Sequence, residues 1–333
     1  MWRGDVISVK NNLFDALLRG LALVVFTLLV WGVTFVNTRA LLSDFSALEI
    51  QLLRFTLGYA GLWCICPRRG SVARGDEWLF VGMGLAGVAV YQLLENCAIH
   101  YTNASNVSIL VSLCPMTTAL LAWMLGRGRR PSLRFFIGFI VAIVGVAMVC
   151  MNGLHAFHFH PLGDLMAFCA MLSWGIYSMF VDMVNAKGYP PVFVIRRMFF
   201  WALVFTVPLV LFGLTSMGRT VLQGSFAVSL DPAVNVARLA TLLNLLNIGF
   251  LGLLASAACF VVWNLACETL GTVRCTVFLY LIPVVTVVFA AIFLGERMTF
   301  VSGVGSALIL GGVILSGWQG RSRRLEPPSE LAR

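Results

Sequence analysis

Asn96-Cys97-Ala98, followed by Leu113-Cys114-Pro115, returns later in the chain in the same register as Asn264-Leu265-Ala266 followed by Leu281-Ile282-Pro283. One residue of drift then pairs Leu125-Gly126 with Leu294-Gly295. Upstream, a second register pairs Trp31-Gly32 with Trp174-Gly175 and Arg54 with Arg197. One hydrophobic unit is therefore written twice. At roughly 20 apolar residues per membrane span, each copy holds about five spans. Five is odd, so the second copy enters the bilayer from the opposite side and the two form an inverted repeat. That architecture is used by secondary transporters, with the substrate site where the halves meet.

Composition agrees with a membrane setting. Hydrophobic residues make up 60% of the 333 and charged residues 11%, with a mean hydropathy of +0.93. A soluble chain is about 25% charged. The expected fold is all-α and integral to the membrane: ten transmembrane helices in a 5+5 inverted repeat. The spans fall near 20–38, 48–66, 78–99, 104–125, 134–151, 162–183, 191–213, 246–268, 273–294 and 300–318. Residues 20–151 form the first five-helix repeat and 162–318 the second. Residues 1–19 are expected as a cytoplasmic lead without a cleavage site, and 319–333 as a disordered cytoplasmic tail. Loops are too short for a soluble domain. Residues 234–245 are expected to lie in the interface ahead of the eighth span.

The net charge of +9 raises the question of nucleic acid. Its placement answers it. With the N-terminus inside, the cytoplasmic segments collect Arg3, Lys10, Arg19, Arg68, Arg69, Arg74, Arg127, Arg129, Arg130, Arg134, Lys187, Arg274, Arg321, Arg323, Arg324 and Arg333. The other side holds Arg39, Arg219, Arg238 and Arg297. The positive-inside rule accounts for this bias, puts both termini in the cytoplasm and leaves no need for a nucleic-acid partner. The nine cysteines lie in or beside spans without metal-ligand spacing. His155, His158 and His160 crowd one outer loop with only Asp164 near them. No metal site and no cofactor are called for.

Polar side chains inside a bilayer are costly and each asks for a reason. Ser105, Ser108, Ser112 and Pro115 share one helical face of the fourth span. Thr276, Tyr280 and Pro283 hold matching positions in the ninth. Each proline removes a backbone donor and breaks the helix, freeing the carbonyls of Val111 and Leu279. These faces are either ordinary packing between helices or the lining of a cavity; recurrence in both copies favours the cavity. Trp31, Trp174 and Tyr177 fall near the middle of their spans, as packing residues or as aromatic walls for a planar or cationic solute. Arg54 and Glu95 enter from the same outer side to similar depth. An ion pair between them explains both charges. A proton- or substrate-binding Glu95 and an independently solvated one are the other readings. By the same symmetry Arg196 or Arg197 is expected to pair with Asp182 or Glu268.

Trp31-Gly32-Val33-Thr34-Phe35, Arg54-Phe55, Glu95-Asn96-Cys97-Ala98, Gly163-Asp164, Trp174-Gly175-Ile176-Tyr177, Ser256, Trp263-Asn264, Pro283 and Leu294-Gly295-Glu296-Arg297 together resemble the drug/metabolite transporter superfamily, EamA type. The resemblance runs from about residue 20 to 318. It implies a bacterial inner-membrane location and a cavity enclosed by spans one, three, four, six, eight and nine. It also implies export of amino acids, metabolites or drug-like compounds. One departure is visible: the first copy has Leu125-Gly126-Arg127 where the second has Leu294-Gly295-Glu296-Arg297. Glu296 is therefore expected to cap or pair locally, outside the site.

The reading is a secondary-active carrier, not an enzyme, working by alternating access on a small-molecule substrate in the lipid bilayer. Trp31, Trp174, Tyr177 and Trp263 are expected at the substrate's flat or apolar part. Asn96, Ser108, Ser112, Asn264 and Tyr280 would hydrogen-bond it. Arg54 and Glu95 would set charge preference or, for Glu95, proton or other ion coupling. No Gly-x-x-x-x-Gly-Lys-Ser/Thr is present, so ATP is not the expected energy source. An intramembrane enzyme lacks its His-Glu-x-x-His or Gly-x-Ser-x-Gly. A non-transporting scaffold or sensor lacks an interaction domain. Nothing in the sequence specifies an oligomeric state.

Overall fold

The computed structural model describes residues 2–67, 70–126, 130–150, 161–221, 223–229, 231–296 and 299–317. His155, His158, His160, Arg297 and the tail 319–333 lie outside them. Helices account for the regular structure, and no strand occurs among the described residues. The main helices are α1 (Trp2–Leu41), α2 (Ala47–Ile65), α3 (Glu77–Tyr101), α4 (Ala104–Met124), α5 (Leu133–Cys150), α6 (Pro161–Asn185), α7 (Pro191–Leu214), α8 (Leu242–Leu270), α9 (Arg274–Phe293) and α10 (Phe300–Gly317). Seven of these are long and apolar enough to cross a membrane: α1 from Leu17, α3, α4, α6, α7, α8 and α9. Shorter apolar stretches lie in α5 (Leu133–Gly145) and α10 (Gly303–Gly312). In a bilayer every backbone group needs an internal partner, which is why such a sequence is helical throughout.

α1 runs unbroken from Trp2 to Leu41, and its membrane-length stretch begins at Leu17. Between α7 and α8 a short helix, Pro232–Ala240, is started by Asp231, whose carboxylate accepts from the amides of Ala233 and Val234.

Packing relates the two copies. α1 packs on α8 and α9, and α6 correspondingly on α3 and α4. α2 meets α7, and α5 meets α10. Exchanging α1 with α6, α2 with α7, α3 with α8, α4 with α9 and α5 with α10 leaves these contacts unchanged.

Irregular backbone recurs with the same symmetry. α3 is π-helical over Gly84–Val90 and α8 over Phe250–Ala258. The Asn96/Asn264 register lays Gly84 on Gly252. Neighbouring helices satisfy the loosened carbonyls: Trp31 donates to Ala255, Ser173 to Ala86 and Gln51 to Ala89, at 3.0, 2.7 and 3.2 Å. In α4 the helix gives way to a turn at Ser112 and Leu113, then restarts at Cys114. In α9 a 3₁₀ turn over Phe278–Leu281 precedes the restart at Ile282. Pro115 and Pro283 both stand in the first turn of the restarted helix, where a missing donor costs nothing.

The π-helical glycines set how closely the copies approach. A Cβ on Gly84 would lie 2.7 Å from the Met198 carbonyl oxygen and 2.9 Å from the Ala202 nitrogen, both backbone atoms of α7. Gly84→Ala should therefore push α3 off α7 and cost about 1–3 kcal/mol. Gly303→Ala in α10, where a Cβ meets nothing within 4 Å, should be neutral or slightly stabilising. Thermal unfolding of the two purified variants checks this; equal melting temperatures would show that α3 and α7 separate without cost.

Candidate functional site

Where α1, α2, α3, α4, α6, α8 and α9 converge lies a small pocket with a cavity volume of about 30 Å³. Its polar wall is Thr34, Arg54, Tyr91, Gln92, Glu95, Ser108 and Ser112; its apolar wall includes Trp31, Phe35, Trp174, Phe260 and Ile282. The aromatic side is rigid. Trp31 and Trp174 meet edge to face at 5.4 Å and 89°, and Tyr91 tilts against Trp174 at 4.9 Å. Indole Nε1 of Trp31 is fixed by the Ala255 carbonyl. Such packing leaves two aromatic surfaces preorganised toward the opening.

Arg54 dominates the polar side. It is 2% exposed, so its charge must find partners inside the protein. Nε donates to the Ser256 hydroxyl and a terminal nitrogen to the Gln92 side-chain oxygen, each at 2.6 Å. Gln92 lies two residues after the π-helical stretch of α3, and Ser256 lies within that of α8. The expected Arg54–Glu95 ion pair is not formed: no nitrogen–oxygen contact within ion-pair distance joins them, and neutral acceptors hold the guanidinium instead. Glu95 is buried, not independently solvated; it is hydrogen-bonded by Tyr91 and feels the Arg54 charge. The pocket thus presents a guanidinium and a carboxylate side by side with an aromatic box.

Of the residues expected at the site, Trp31, Arg54, Glu95, Ser108, Ser112 and Trp174 line this pocket, whereas Asn96, Tyr177, Trp263, Asn264 and Tyr280 do not. Asn96 is turned toward α2, where its amide donates to the Ala47 carbonyl at 3.3 Å. Trp263 is packed behind Trp31 at 5.2 Å. Tyr177 and Tyr280 are buried among core residues. Both polar atoms of Asn264, the Tyr177 hydroxyl and Trp174 Nε1 are buried with no partner among the described residues. Ser108 and Ser112 donate to carbonyls three residues back, Ser105 and Ile109, leaving each oxygen able to accept. Pro283 instead borders a wholly apolar pocket shared with Ser112, Ile109 and Ile309. Tyr91, Gln92, Thr34 and Phe260 are pocket residues that were not among the expected site residues. Tyr91 and Gln92 carried a signal, since they sit beside Glu95 in sequence.

Both ends of the bundle are fastened between the copies. At one end Asp76 accepts from Lys187 at 3.0 Å and from the Tyr189 hydroxyl at 2.9 Å. Glu77 accepts from Arg197 at 2.8 Å and from Trp201. Arg197 thus pairs with Glu77, not with Asp182 or Glu268. Lys187 and Tyr189 hold the Asp76 carboxyl below its ordinary range. A lowered folded-state pKa stabilises above the ordinary 3.8 and is lost as pH falls through the lower value, so this fastening persists at neutral pH. At the other end Glu296 reaches across to the first turn of α4. It accepts from the Ala104 and Ser105 amides at 3.2 and 3.3 Å and from the Ser105 hydroxyl at 2.6 Å. Its pairing is therefore not local: it caps a helix of the other copy.

The fold and pocket define a multi-pass membrane protein with its polar residues gathered at the junction of two repeated halves. The EamA-like transporter family matches residues 18–151 and again 161–318. The chain belongs to that family, within the drug/metabolite transporters of the cell membrane. It is 28% identical over 304 residues to a probable terminal-alkyne amino-acid exporter of Streptantibioticus cattleyicolor, covering 91% of this chain and 94% of that one. It is 25% identical over 298 residues to a probable amino-acid metabolite efflux pump of Escherichia coli, covering 88% and 93%. An uncharacterized transporter of Archaeoglobus fulgidus is 25% identical over 301 residues, covering 88% and 96%. A solved crystal structure superimposes with a TM-score of 0.63 at 18% identity, covering 92% of this chain and 99% of that one, and so shares the fold.

Hydrogen bonds to a charged group contribute about 1.5–3 kcal/mol. Ser256→Ala should destabilise by that much. An Arg54→Gln/Ser256→Ala double-mutant cycle should show a larger coupling than Arg54→Gln/Glu95→Gln, read from melting temperatures in detergent. The reverse order would restore a direct Arg54–Glu95 pair. Glu296→Gln keeps the shape but weakens the charge-assisted cap; about 0.5–2 kcal/mol should be lost, again by thermal unfolding, whereas Glu268→Gln at an exposed position should change nothing.

Proposed function

We propose that this protein is a secondary carrier that exports small zwitterionic metabolites, amino acids foremost, by alternating access around the Arg54–Glu95 pocket. The observation that carries this is the pocket itself: guanidinium and carboxylate stand on one wall without neutralising each other directly, opposite an aromatic box. An α-amino acid brings the complementary pair, a carboxylate for Arg54 and an ammonium for Glu95. Trp31 and Trp174 would take its side chain, the ammonium also gaining from the ring faces. Ser108 and Ser112 offer acceptor oxygens. The names of the Streptantibioticus and Escherichia relatives support an amino-acid substrate.

In this reading the ten helices form a 5+5 inverted repeat, 20–151 and 162–318, with both termini in the cytoplasm. The symmetric contacts and the bias of basic residues support it. The two halves rock about the shared pocket. Asp76 with Lys187 and Glu77 with Arg197 then fasten the cytoplasmic end, and Glu296 with α4 fastens the outer end. Opening at either end breaks one set while the other holds. The unpartnered atoms of Tyr177 and Asn264 become lining when the cytoplasmic end opens, which assigns these two residues to the substrate path and not to the resting pocket, while Trp174, already in the resting pocket, turns its free Nε1 to the same path. A gradient, or the substrate's own, drives the cycle, with Glu95 as the residue available to carry a proton.

Counterflow into proteoliposomes preloaded with a pooled amino-acid and metabolite mixture, read by mass spectrometry, tests the proposal. Selective movement of zwitterions is expected in the unaltered protein and a loss of about tenfold or more in Arg54→Gln, from the loss of a charge-assisted contact. If Glu95 carries the proton, Glu95→Gln abolishes dependence on a pH gradient while sparing exchange. Folded protein that moves no solute would remove the carrier reading.

A further inference from the structure

A second polar pocket, unrelated to the central one, opens on the outside of the bundle beside the ends of α2 and α7. It is lined by Tyr59, Trp63, Phe193, Arg196, Arg197 and Phe200, with a cavity volume of about 280 Å³. Two guanidinium groups therefore stand in an aromatic cage. Arg196 lies over the Trp63 ring at 4.1 Å and donates to the Cys66 carbonyl. Arg197 lies over Phe200 at 5.2 Å. Only its Nε is engaged, by Glu77; its two terminal nitrogens find no acceptor among the described residues. The guanidinium fork matches two phosphate oxygens, so Arg197 keeps its anion-binding edge after pairing with Glu77.

Depth and surroundings decide what kind of anion fits. Arg197 is six residues into α7, about 9 Å from its start at 1.5 Å per residue. That is the level of headgroups, where Trp and Tyr collect. From Arg197 the same face of α7 continues through Phe200, Val204, Val207 and Leu211, at steps of three, four, three and four. All four are exposed. An uncovered apolar stripe of about 17 Å, from Phe200 to Leu211, thus begins at the pocket and runs away from it. A soluble anion would leave that stripe unused, whereas an acyl chain would lie along it.

We infer that the Arg196–Arg197 pocket is a binding site for the phosphate headgroup of an anionic phospholipid, with an acyl chain laid along α7. Basic pockets at helix ends bind such headgroups. The inference rests on membrane insertion and is independent of what the protein transports. Because the headgroup would sit between α2 and α7, an occupied site bridges the two copies at the end where Asp76 and Glu77 also fasten them.

The test uses full-length protein in nanodiscs of phosphatidylcholine with a minor share of phosphatidylglycerol, released for native mass spectrometry. Phosphatidylglycerol should be retained over phosphatidylcholine by about tenfold, the worth of one charge-assisted contact. Arg197→Gln should abolish that preference and Arg74→Gln, at an exposed loop position, should keep it. Arg196→Gln should also abolish it; if its burial prevents folding, Arg197→Gln, with a side chain 37% exposed, decides. Equal retention of the two lipids, or a preference surviving Arg197→Gln, overturns the inference. Binding of inorganic phosphate that Arg197→Gln abolishes, with no phosphatidylglycerol retained, overturns its lipid half and leaves a soluble-anion site.

Discussion

A single buried cation organises the centre of this molecule. An unpartnered guanidinium in the apolar interior would cost several kcal/mol, and Arg54 avoids that cost by bonding a side chain from each copy, Gln92 from α3 and Ser256 from α8. Ser256 lies within one π-helical stretch and Gln92 two residues after the other, where the looser backbone lets the side chain be re-aimed. Those turns are themselves tolerated because Trp31, Ser173 and Gln51 take up their carbonyls. The chain of dependence runs from charge to π turn to aromatic wall. Loss of any part would leave a polar group orphaned in a medium without water.

The duplication was readable because hydrophobic length and paired landmarks such as Leu113-Cys114-Pro115 and Leu281-Ile282-Pro283 survive in sequence. Membership of the family followed from the same landmarks. The site was only partly readable. Helical spacing puts Glu95 and Tyr91 on one face and Asn96 on the next, but it does not say which face meets the pocket. Tyr91 to Asn96 all follow the π turn, so their mutual spacing is that of an ordinary α-helix, and it is the contact with the Ala47 carbonyl of α2 that shows where Asn96 turns. Its duplication with Asn264 suggested a substrate ligand. In the structure the two have different surroundings: Asn96 ties α3 to the Ala47 carbonyl, and Asn264 has no partner among the described residues. Equivalent positions in a repeat share backbone geometry, not chemistry.

Glu95 and Arg54 show the complementary error. Two opposite charges at similar depth invite an ion pair, yet the neutral oxygens of Gln92 and Ser256 satisfy the cation. The consequence is functional under the carrier reading. A tight internal ion pair would offer a zwitterion nothing, since its entry would have to break what it replaces. Separated charges, each held by a neutral group, leave a pattern that a zwitterion completes.

The two ends of the bundle are not equivalent although the copies are. The second copy supplies Glu296 to cap α4, while the first copy has Arg127 at the corresponding place in the sequence, so this cap is not repeated by an acid at that position. Symmetry is instead broken at the opposite end by Asp76 and Glu77, which hold Lys187 and Arg197 of the other copy. Ion pairs exposed to solvent contribute little, about 0–1 kcal/mol each. A charged cap on two backbone amides is stronger and only partly exposed. In the carrier reading the end held by Glu296 therefore has the more costly opening, and the end held by surface ion pairs the cheaper one. A carrier that must load from the cytoplasm needs that order, provided something steadies the weaker end; a phospholipid between α2 and α7 would supply it from outside the bundle.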